Sequence, residues 1–429
     1  MSNRTEALSR TLDLLQELAG PSMSRDDVDA ALSATRVRLV VRREDLRDPS
    51  GQAAIYVLCC LLARSGMRLE ADLPDVAVAI ELPGLASDSF ATAMPAAVAL
   101  MFPEAAIDDA GGDADVTAVF GDAPHAPART VLRVVAVGRR ATAGLDVAGA
   151  RWNSADPLAA VAASGLAAAE IHKLALRRAL GHTPESFAAE PATFEVPFEL
   201  PTRVSLPPTE MVSAGAISQN TLLVIAAAPG IGASFRIFDR DVIALSNANR
   251  CPFVMLNGID RPKVDEVVRL LPERLRAIAV PEHLTADTAS AVEPDSWIVV
   301  GADDIGARHL AQRLGPRWLG IGATSHFLAL VSEHRPGMAC AGCLHPHLGD
   351  DLAIIPTVSI VSFWAGYLLA LRMLAGAIGV PYPASRQVTN FWPLHPRAIL
   401  EHCLAVNPAC PLAPVHAGKD ARLQPLHLA

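Results

Sequence analysis

The sequence predicts an α/β protein built on a mostly parallel sheet and preceded by a second, smaller α/β domain. Three observations carry that expectation. Across residues 209–380, short apolar runs alternate with helical patterns, the spacing of strand–helix–strand units. At "MVSAGAISQ" a strand passes through a tight, glycine-containing turn into a helix, as open parallel sheets require. A length of 429 residues, 51 % apolar and 19 % charged, gives a globular chain with room for two domains of ordinary size.

Taken in order, Thr5–Leu18 has the periodicity of an amphipathic helix and Arg36–Arg42 that of a strand. Gln52–Ala63 reads as an apolar helix and Val76–Leu82 as a strand. Asp115–Phe120 and Thr130–Val137 read as two further strands. The alanine-rich Pro157–Leu180 is a helix closing a first domain over residues 1–180. No phosphate-binding loop and no cluster of acid, base and nucleophile falls in this domain, which suits a structural, dimerising or substrate-recruiting role. Residues 181–208, rich in Pro, Thr and Glu, read as a linker. In 209–380 the expected strands are Glu210–Ser213, Phe235–Phe238, Ala277–Val280, Trp297–Gly301, Trp318–Ile321 and Leu328–Ser332. Residues 381–429, with "PYP", "FWPLHP" and "NPACPLAP", read as a Pro-rich tail with little regular structure, and no internal repeat stands out.

Bulk properties exclude several classes. A net charge of −9 and a pI near 5.8 argue against a nucleic-acid partner held through phosphates. The polar start Met1–Arg10 predicts no secretory signal. Leu352–Leu371 is uncharged and long enough to span a bilayer. Pro356 interrupts it, polar Thr357, Ser359 and Ser362 lie within it, and Arg372 follows at once, so a helix buried in an α/β core is the expectation. Seven cysteines without a signal peptide predict a reduced, cytoplasmic protein, with Cys59 and Cys60 as core residues.

Chemistry concentrates after the glycine-containing turn. A phosphate-binding turn uses glycines because the backbone must approach the anion closely. Here the three positions are Ser213, Gly215 and Ser218, so only the middle glycine is present. The next strand ends in Asp239, placed to accept hydrogen bonds from a ribose, with Asp241 two residues on. Asn247, Arg250 and Lys263 follow: an amide, a forked guanidinium and a compact point charge, a set suited to a polyphosphate. Lys263 is one of only three lysines in the chain, the others being Lys173 and Lys419.

The order and spacing of these residues resemble a known signature. "DRDVIALSNANR…DRPKVDEVVRLL" is similar to the "DxDxVexSNLxRQ…GxPK" pattern of the ThiF/MoeB superfamily, which includes ubiquitin-activating enzymes. "VVGADDIGARHL" resembles that family's "DxxDNxxxR", with Asp303, Asp304 and Arg308 in step. "CAGCLHP" resembles its first zinc-binding CxxC, and "NPACP" the start of the second; the likeness covers about residues 210–411. The resemblance implies a Rossmann-like adenylation domain that binds ATP and adenylates the C-terminal carboxylate of a ubiquitin-like or sulfur-carrier protein or of a peptide. It implies a homodimer, with no nucleic acid and no membrane involved. By the same likeness Asp239 holds the ribose, Asn247, Arg250 and Lys263 contact phosphates, and Asp303 binds magnesium (Mg2+). The chain departs from the pattern at Ser213 and Ser218, at Cys251 where glutamine is usual, and at Asp304 where asparagine is usual. No cysteine lies between Leu344 and Leu371, where thioester-forming members carry their nucleophile, and Cys251 is expected to pack instead. Adenylation without a thioester step is therefore expected. The arginine that the family supplies from a partner's N-terminal helix has no counterpart that the sequence identifies.

Cys340 and Cys343 have the spacing of a zinc knuckle, and a structural zinc (Zn2+) needs two more ligands. Ala413 breaks the family's second CxxC, which leaves Cys403 and Cys410 as candidates, with His345, His347, His402 and His416 as possible replacements. Two other classes of function stay open at this stage: a catalytically impaired adaptor, which the two serines favour, and a nicotinamide-linked oxidoreductase, which the strand–helix–Asp239 arrangement alone favours.

Overall fold

Two sheets repeat one strand order. A computed structural model of the chain describes residues 3–19, 24–152, 156–180, 191–293, 295–347 and 357–412. The first sheet comprises β1 (Arg36–Val40), β2 (Arg68–Ala71), β3 (Ile107–Asp108), β4 (Val116–Phe120), β5 (Val131–Val137), β6 (Arg140–Gly144) and β7 (Ala192–Glu195), in spatial order β3-β2-β1-β4-β5-β6-β7. The second contains β8 (Val204–Ser205), β9 (Thr209–Val212), β10 (Ile231–Phe238), β11 (Leu275–Val280), β12 (Trp297–Val300), β13 (Trp318–Ser325), β14 (Leu328–His334), β15 (Val388–Phe391) and β16 (Ile399–His402). Its order is β11-β10-β9-β12-β13-β14-β15-β16, with β8 pairing with β10 off this path.

In both sheets the first five strands in that order are parallel and the rest antiparallel. In both, the chain reverses through a hairpin, runs through one long apolar helix and returns as the next antiparallel strand. Those helices are Pro157–Leu180 between β6 and β7 and Ser359–Ala377 between β14 and β15. The protein is thus mixed α/β with parallel-dominated sheets. Parallel strands covered on both faces must be apolar throughout, and β4, "VTAVF", is buried at every residue, as is β9, "TEMV".

The crossover helices start where the chain encodes a start. Asp48 caps the Pro49–Arg64 helix by accepting from Ser50 N, and Pro49 gives up no hydrogen bond at its first position. Ala216–Ala226 makes the equivalent crossover between β9 and β10. Both it and Ser359–Ala377 are buried on nearly every side, and they meet where Gly366 lies against Asn220 and Thr221. A Cβ on Gly366 would fall 2.5 Å from Asn220 Cβ and 2.6 Å from Thr221 N.

Two helices, Pro157–Arg177 and Ser359–Ala377, are long and apolar enough to cross a membrane by length and composition, and 94 % and 89 % of those stretches are buried inside the protein. They pack together: Tyr367 Oη donates to Leu158 O at 3.0 Å, and Phe363 fills the space left by Gly165. The buried helix expected over Leu352–Leu371 begins at Ser359, while residues 352–356 lie outside the described residues.

Several expectations need correction. Val76–Leu82 is extended but forms only a single bridge, between Ala77 and Ser89. Gln52 takes the place of a partner strand there: its Nε2 donates to Ala77 O at 2.8 Å and its Oε1 accepts from Ala79 N at 2.8 Å. Strand β2, which pairs with β1 on the side away from β4, and helices Arg25–Ala34 and Phe90–Met101 are additional. Phe90–Met101 carries Pro95 inside it, which masks its helical signal. Boundaries at 180 and 380 cut through both sheets. The predicted linker holds β7 and β8, with 181–190 outside the described residues, and the predicted tail supplies β15 and β16 as far as it is described. These are four-residue or shorter strands flanked by prolines, too short for a period of two to register.

Candidate functional site

Strand order in the second sheet reverses between β9 and β12, and a cavity of about 520 Å³ opens at their carboxyl ends. A crevice at such a switch point is the general ligand position in open α/β sheets. Ser213, Gly215, Asp239, Asp241, Asn247, Arg250, Lys263 and Asp303 all line it. Ser218 does not. It is fully buried with its Oγ unpartnered, and a Cβ on Gly301 would lie 2.5 Å from that oxygen. Its small size serves close packing of the Ala216–Ala226 helix on the end of β12, so its predicted contact with a nucleotide is withdrawn.

The turn itself is strained at one residue. Ser213 has φ +81°, a left-handed conformation suited to glycine, and its Oγ accepts from Gly215 N at 3.2 Å. Ser213→Gly is expected to raise stability by about 1 kcal/mol. A denaturant melt checks this, and a fall in midpoint contradicts it.

Asp239, nearly buried, ties two loops together. Its Oδ2 accepts from Ala214 N and its Oδ1 from Asp241 N, both at 2.8 Å. The end of β10 is thereby fixed to the turn. On the opposite wall Asn247 Oδ1 accepts from Ala244 N at 3.0 Å, so its amide N–H₂ is directed away from that bond. Arg250, 7 % exposed, donates from Nη1 to Ser246 O at 2.6 Å and to Asn249 Oδ1 at 2.7 Å. Burial is the main cause of its lowered proton affinity, which Asp303 partly offsets. Lys263 Nζ forms an ion pair with Asp241 Oδ2 at 2.7 Å, and Lys263 N donates to Asp241 O at 2.9 Å. A lysine is therefore parked on a carboxylate at the mouth of the cavity. Its flexible stem can move to an incoming anion as a point charge.

Asp304 caps the Ile305–Arg313 helix through Gly306 N at 2.7 Å, and both it and Asp303 line the cavity. Arg308 fixes that bend by donating to Ala302 O from Nε at 3.2 Å and Nη2 at 2.9 Å. His283 also reaches the cavity, with Nε2 3.7 Å from Asp241 Oδ1.

The cysteines resolve into three and one. Cys340, Cys343 and Cys410 bring their sulfurs within 4.8 Å of one another, with Cys340–Cys410 at 3.4 Å and Cys340–Cys343 at 3.8 Å. Tetrahedral zinc thiolates have sulfurs about 3.8 Å apart, so the donor set fits a soft cation. Backbone N–H groups of Asn407 and Leu412 donate to Cys343 and Cys410 sulfurs, at 3.4 and 3.3 Å. Gly342 leaves room for this approach, since a Cβ there would meet Cys410 Sγ at 2.9 Å. Burial pushes the Cys340 thiol up to about 12, so its thiolate persists at neutral pH only beside a cation.

Cys403 is exposed and stands outside the cluster, against expectation. It directly follows β16, which places it apart from the turn that carries Cys410. His345 does not replace it, because its Nε2 meets Arg308 Nη1 at 3.0 Å. Neither His347 nor His402 joins the cluster, and His416 lies outside the described residues.

Part of the chain is similar to E. coli MccB. The crystal structure of MccB with ATP aligns with 48 % of this chain and 66 % of that one, at 18 % identity and a TM-score of 0.41. MccB with MccA-N7isoASN gives 49 %, 67 %, 18 % and 0.42. The microcin C7 biosynthetic enzyme MccB in complex with N-formylated MccA gives 57 %, 74 %, 16 % and 0.41. In the MccB–ATP comparison this chain thus spans just under two thirds of the other's length. No protein-family model and no curated protein sequence matches it.

The residues that sequence reading overlooked come from elsewhere in the chain. Gln219 Nε2 donates to Ala214 O at 2.7 Å and its Oε1 accepts from Phe253 N at 2.9 Å, while Asn220 Nδ2 donates to Arg250 O at 3.1 Å. These two polar side chains in an apolar helix pin the turn to the 247–255 loop, and their polarity there was the available signal. Arg10, from the helix Ser9–Ala19 of the first half, also lines the cavity. Nothing local to Arg10 marks it.

Proposed function

We propose that the chain is an enzyme that uses ATP to adenylate a terminal carboxylate, without a later thioester step. The observation that carries this reading is the convergence of Asp239, Asn247, Arg250, Lys263 and Asp303 on one switch-point cavity. Asp239 and Asp241 serve the sugar side, and Asn247, Arg250 and Lys263 the phosphate side, with Ser213 and Gly215 presenting the turn. A carboxylate oxygen attacks the α-phosphorus; the new O–P bond forms as the bond to pyrophosphate breaks, and pyrophosphate departs with the electron pair. Cations fixed around the phosphates stabilise the charge that develops, and no protein nucleophile is needed. Asp303 is the residue to hold magnesium, which when bound offsets phosphate charge. Cys251, 2 % exposed, is packed and not poised for attack, which supports ending at the adenylate. The acceptor is a ubiquitin-like or sulfur-carrier protein or a peptide, in the cytoplasm, where the free cysteines stay reduced.

ATP–pyrophosphate exchange in the presence of candidate carboxyl-terminal peptides tests the reading. Exchange that disappears in Asp303→Ala supports it. A well-folded protein that neither exchanges nor binds ATP is instead an adaptor, a reading favoured by the serine at a glycine-type φ in the turn.

We also assign structural zinc to Cys340, Cys343 and Cys410. About one zinc per chain is expected by elemental mass spectrometry. Cys343→Ser and Cys410→Ser should each lose it, and Cys403→Ser should keep it. Loss in the Cys403 variant, or no zinc in the parent protein, removes the assignment.

A further inference from the structure

We propose that the chain carries a second ligand site, at the opposite edge of the second sheet from the nucleotide cavity, and that it takes a free α-amino acid with an apolar side chain. A cavity of about 570 Å³ lies at the amino ends of β12 and β13, whereas the nucleotide cavity opens at the carboxyl ends of β9 and β12. Its apolar lining is built on two indoles. Trp297 opens β12 and Trp318 opens β13, and the parallel register sets them side by side. Their rings stack with centroids 5.0 Å apart and planes at 28°. The end of the Ser359–Ala377 helix meets Trp297 with a glycine, since a Cβ on Gly376 would fall 2.9 Å from that ring. A concave wall of aromatic surface with a few polar groups is the usual make-up of a small-molecule site.

Strand order also sorts the charges. Asp295 and Ser296 come just before β12, Arg317 just before β13, and Arg335 directly after β14, which runs antiparallel beside β13. All four line the cavity. Adjacent strands lie about 4.8 Å apart, so a carboxylate over β12 stands one or two strand spacings from guanidiniums over β13 and β14. Among the described residues neither Asp295 nor Arg317 forms an ion pair. Glu293, at the same rim, adds to Glu210 in raising the proton affinity of Arg236. On the basic side Glu333, 1 % exposed, lies 2.7 Å from Arg335 Nη2 and 3.6 Å from Arg372 Nη1. One carboxylate thus serves two guanidiniums, and positive charge is left in excess there. Ser296 Oγ, in a residue 7 % exposed, and Arg335 Nε have no hydrogen-bond partner among the described residues. An α-amino acid answers each of these groups. Its carboxylate pairs with Arg317 and Arg335, its ammonium with Asp295, and its side chain lies against the indoles.

Three probes share one apolar body and differ in charge: phenylalanine, 3-phenylpropionate and phenethylamine. Titrated by calorimetry into the full chain, phenylalanine is expected to bind about tenfold or more tightly than either of the others. It should also change the tryptophan fluorescence of the parent protein and not that of Trp297→Phe. Arg317→Ala and Asp295→Asn should each weaken phenylalanine about tenfold and leave the melting temperature unchanged. Asn suits the φ of +60° at position 295, so that variant removes charge without straining the turn. No binding of phenylalanine at about 10 mM overturns the proposal. Equal binding of all three probes overturns it too, because apolar contact alone would explain that result. Tighter binding of phenethylamine or of 3-phenylpropionate makes this a cation or an anion site and ends the amino-acid assignment, as does full affinity in both charge variants.

Discussion

Lys263→Ala is expected to lower kcat/KM for ATP–pyrophosphate exchange by about 100- to 1,000-fold, the loss that follows removal of one charged donor from a preorganised site. Stability should barely change. Among the described residues the side chain is tied only to Asp241, which is 54 % exposed, and an ion pair with such a partner contributes about 0–1 kcal/mol. The thermal midpoint should move by no more than about 2 °C. Lys263→Arg should rescue little, because a planar fork cannot follow phosphates as a compact ammonium does. Separating the two readouts matters: a variant that loses activity and melts early would speak for the helix that Lys263 begins, not for a phosphate contact. Exchange within threefold of wild type would leave Lys263 without the role assigned to it.

The largest stability effect is expected at Arg64. Its guanidinium lies in the core with no carboxylate paired to it among the described residues; four main-chain carbonyls and Cys60 Sγ, at 3.3 Å, take its hydrogens. Arg64→Leu removes these donors while leaving Met101, Ala248, Pro252 and Val254 carbonyls in place. Stranded buried acceptors, together with the altered volume, should cost about 3–5 kcal/mol. Hydrogen exchange should accelerate first at residues 248–254, and ATP affinity should fall with it, since Asn247 and Arg250 ride on that loop. A change below about 1 kcal/mol in a denaturant melt would show that solvent or neighbouring groups take over the carbonyls.

Much of the second half could be read directly. Its strands are continuous apolar runs, and Asp239, Asn247, Arg250, Lys263 and Asp303 lie on loops at their ends, so sequence order nearly reproduces spatial order. Residues acting from a distance were illegible. Arg64 reaches a loop nearly two hundred positions later, Arg10 lines a cavity whose other residues begin about two hundred positions on, and no local pattern marks a guanidinium for such distant partners. Ser218 misled because a small residue after a turn serves phosphate approach and helix–strand packing equally well, and only Gly301 opposite it decides. Cys403 misled because spacing counts residues, while a cysteine beside a strand is carried away from one in the following turn. The repeat escaped because topology survives changes of side chain that erase sequence likeness.

Mutual burial of the helices Pro157–Leu180 and Ser359–Ala377 also sets a schedule for biosynthesis. The earlier helix leaves the ribosome about 180 residues before its companion, a gap of roughly 10–40 s at ordinary translation rates. During that interval only the face of this helix that later receives Phe363 and Tyr367 stands uncovered, the rest already lying against the Pro49–Arg64 helix and strands β5 and β6. Completion of that core waits for the emergence of Phe363 and Tyr367.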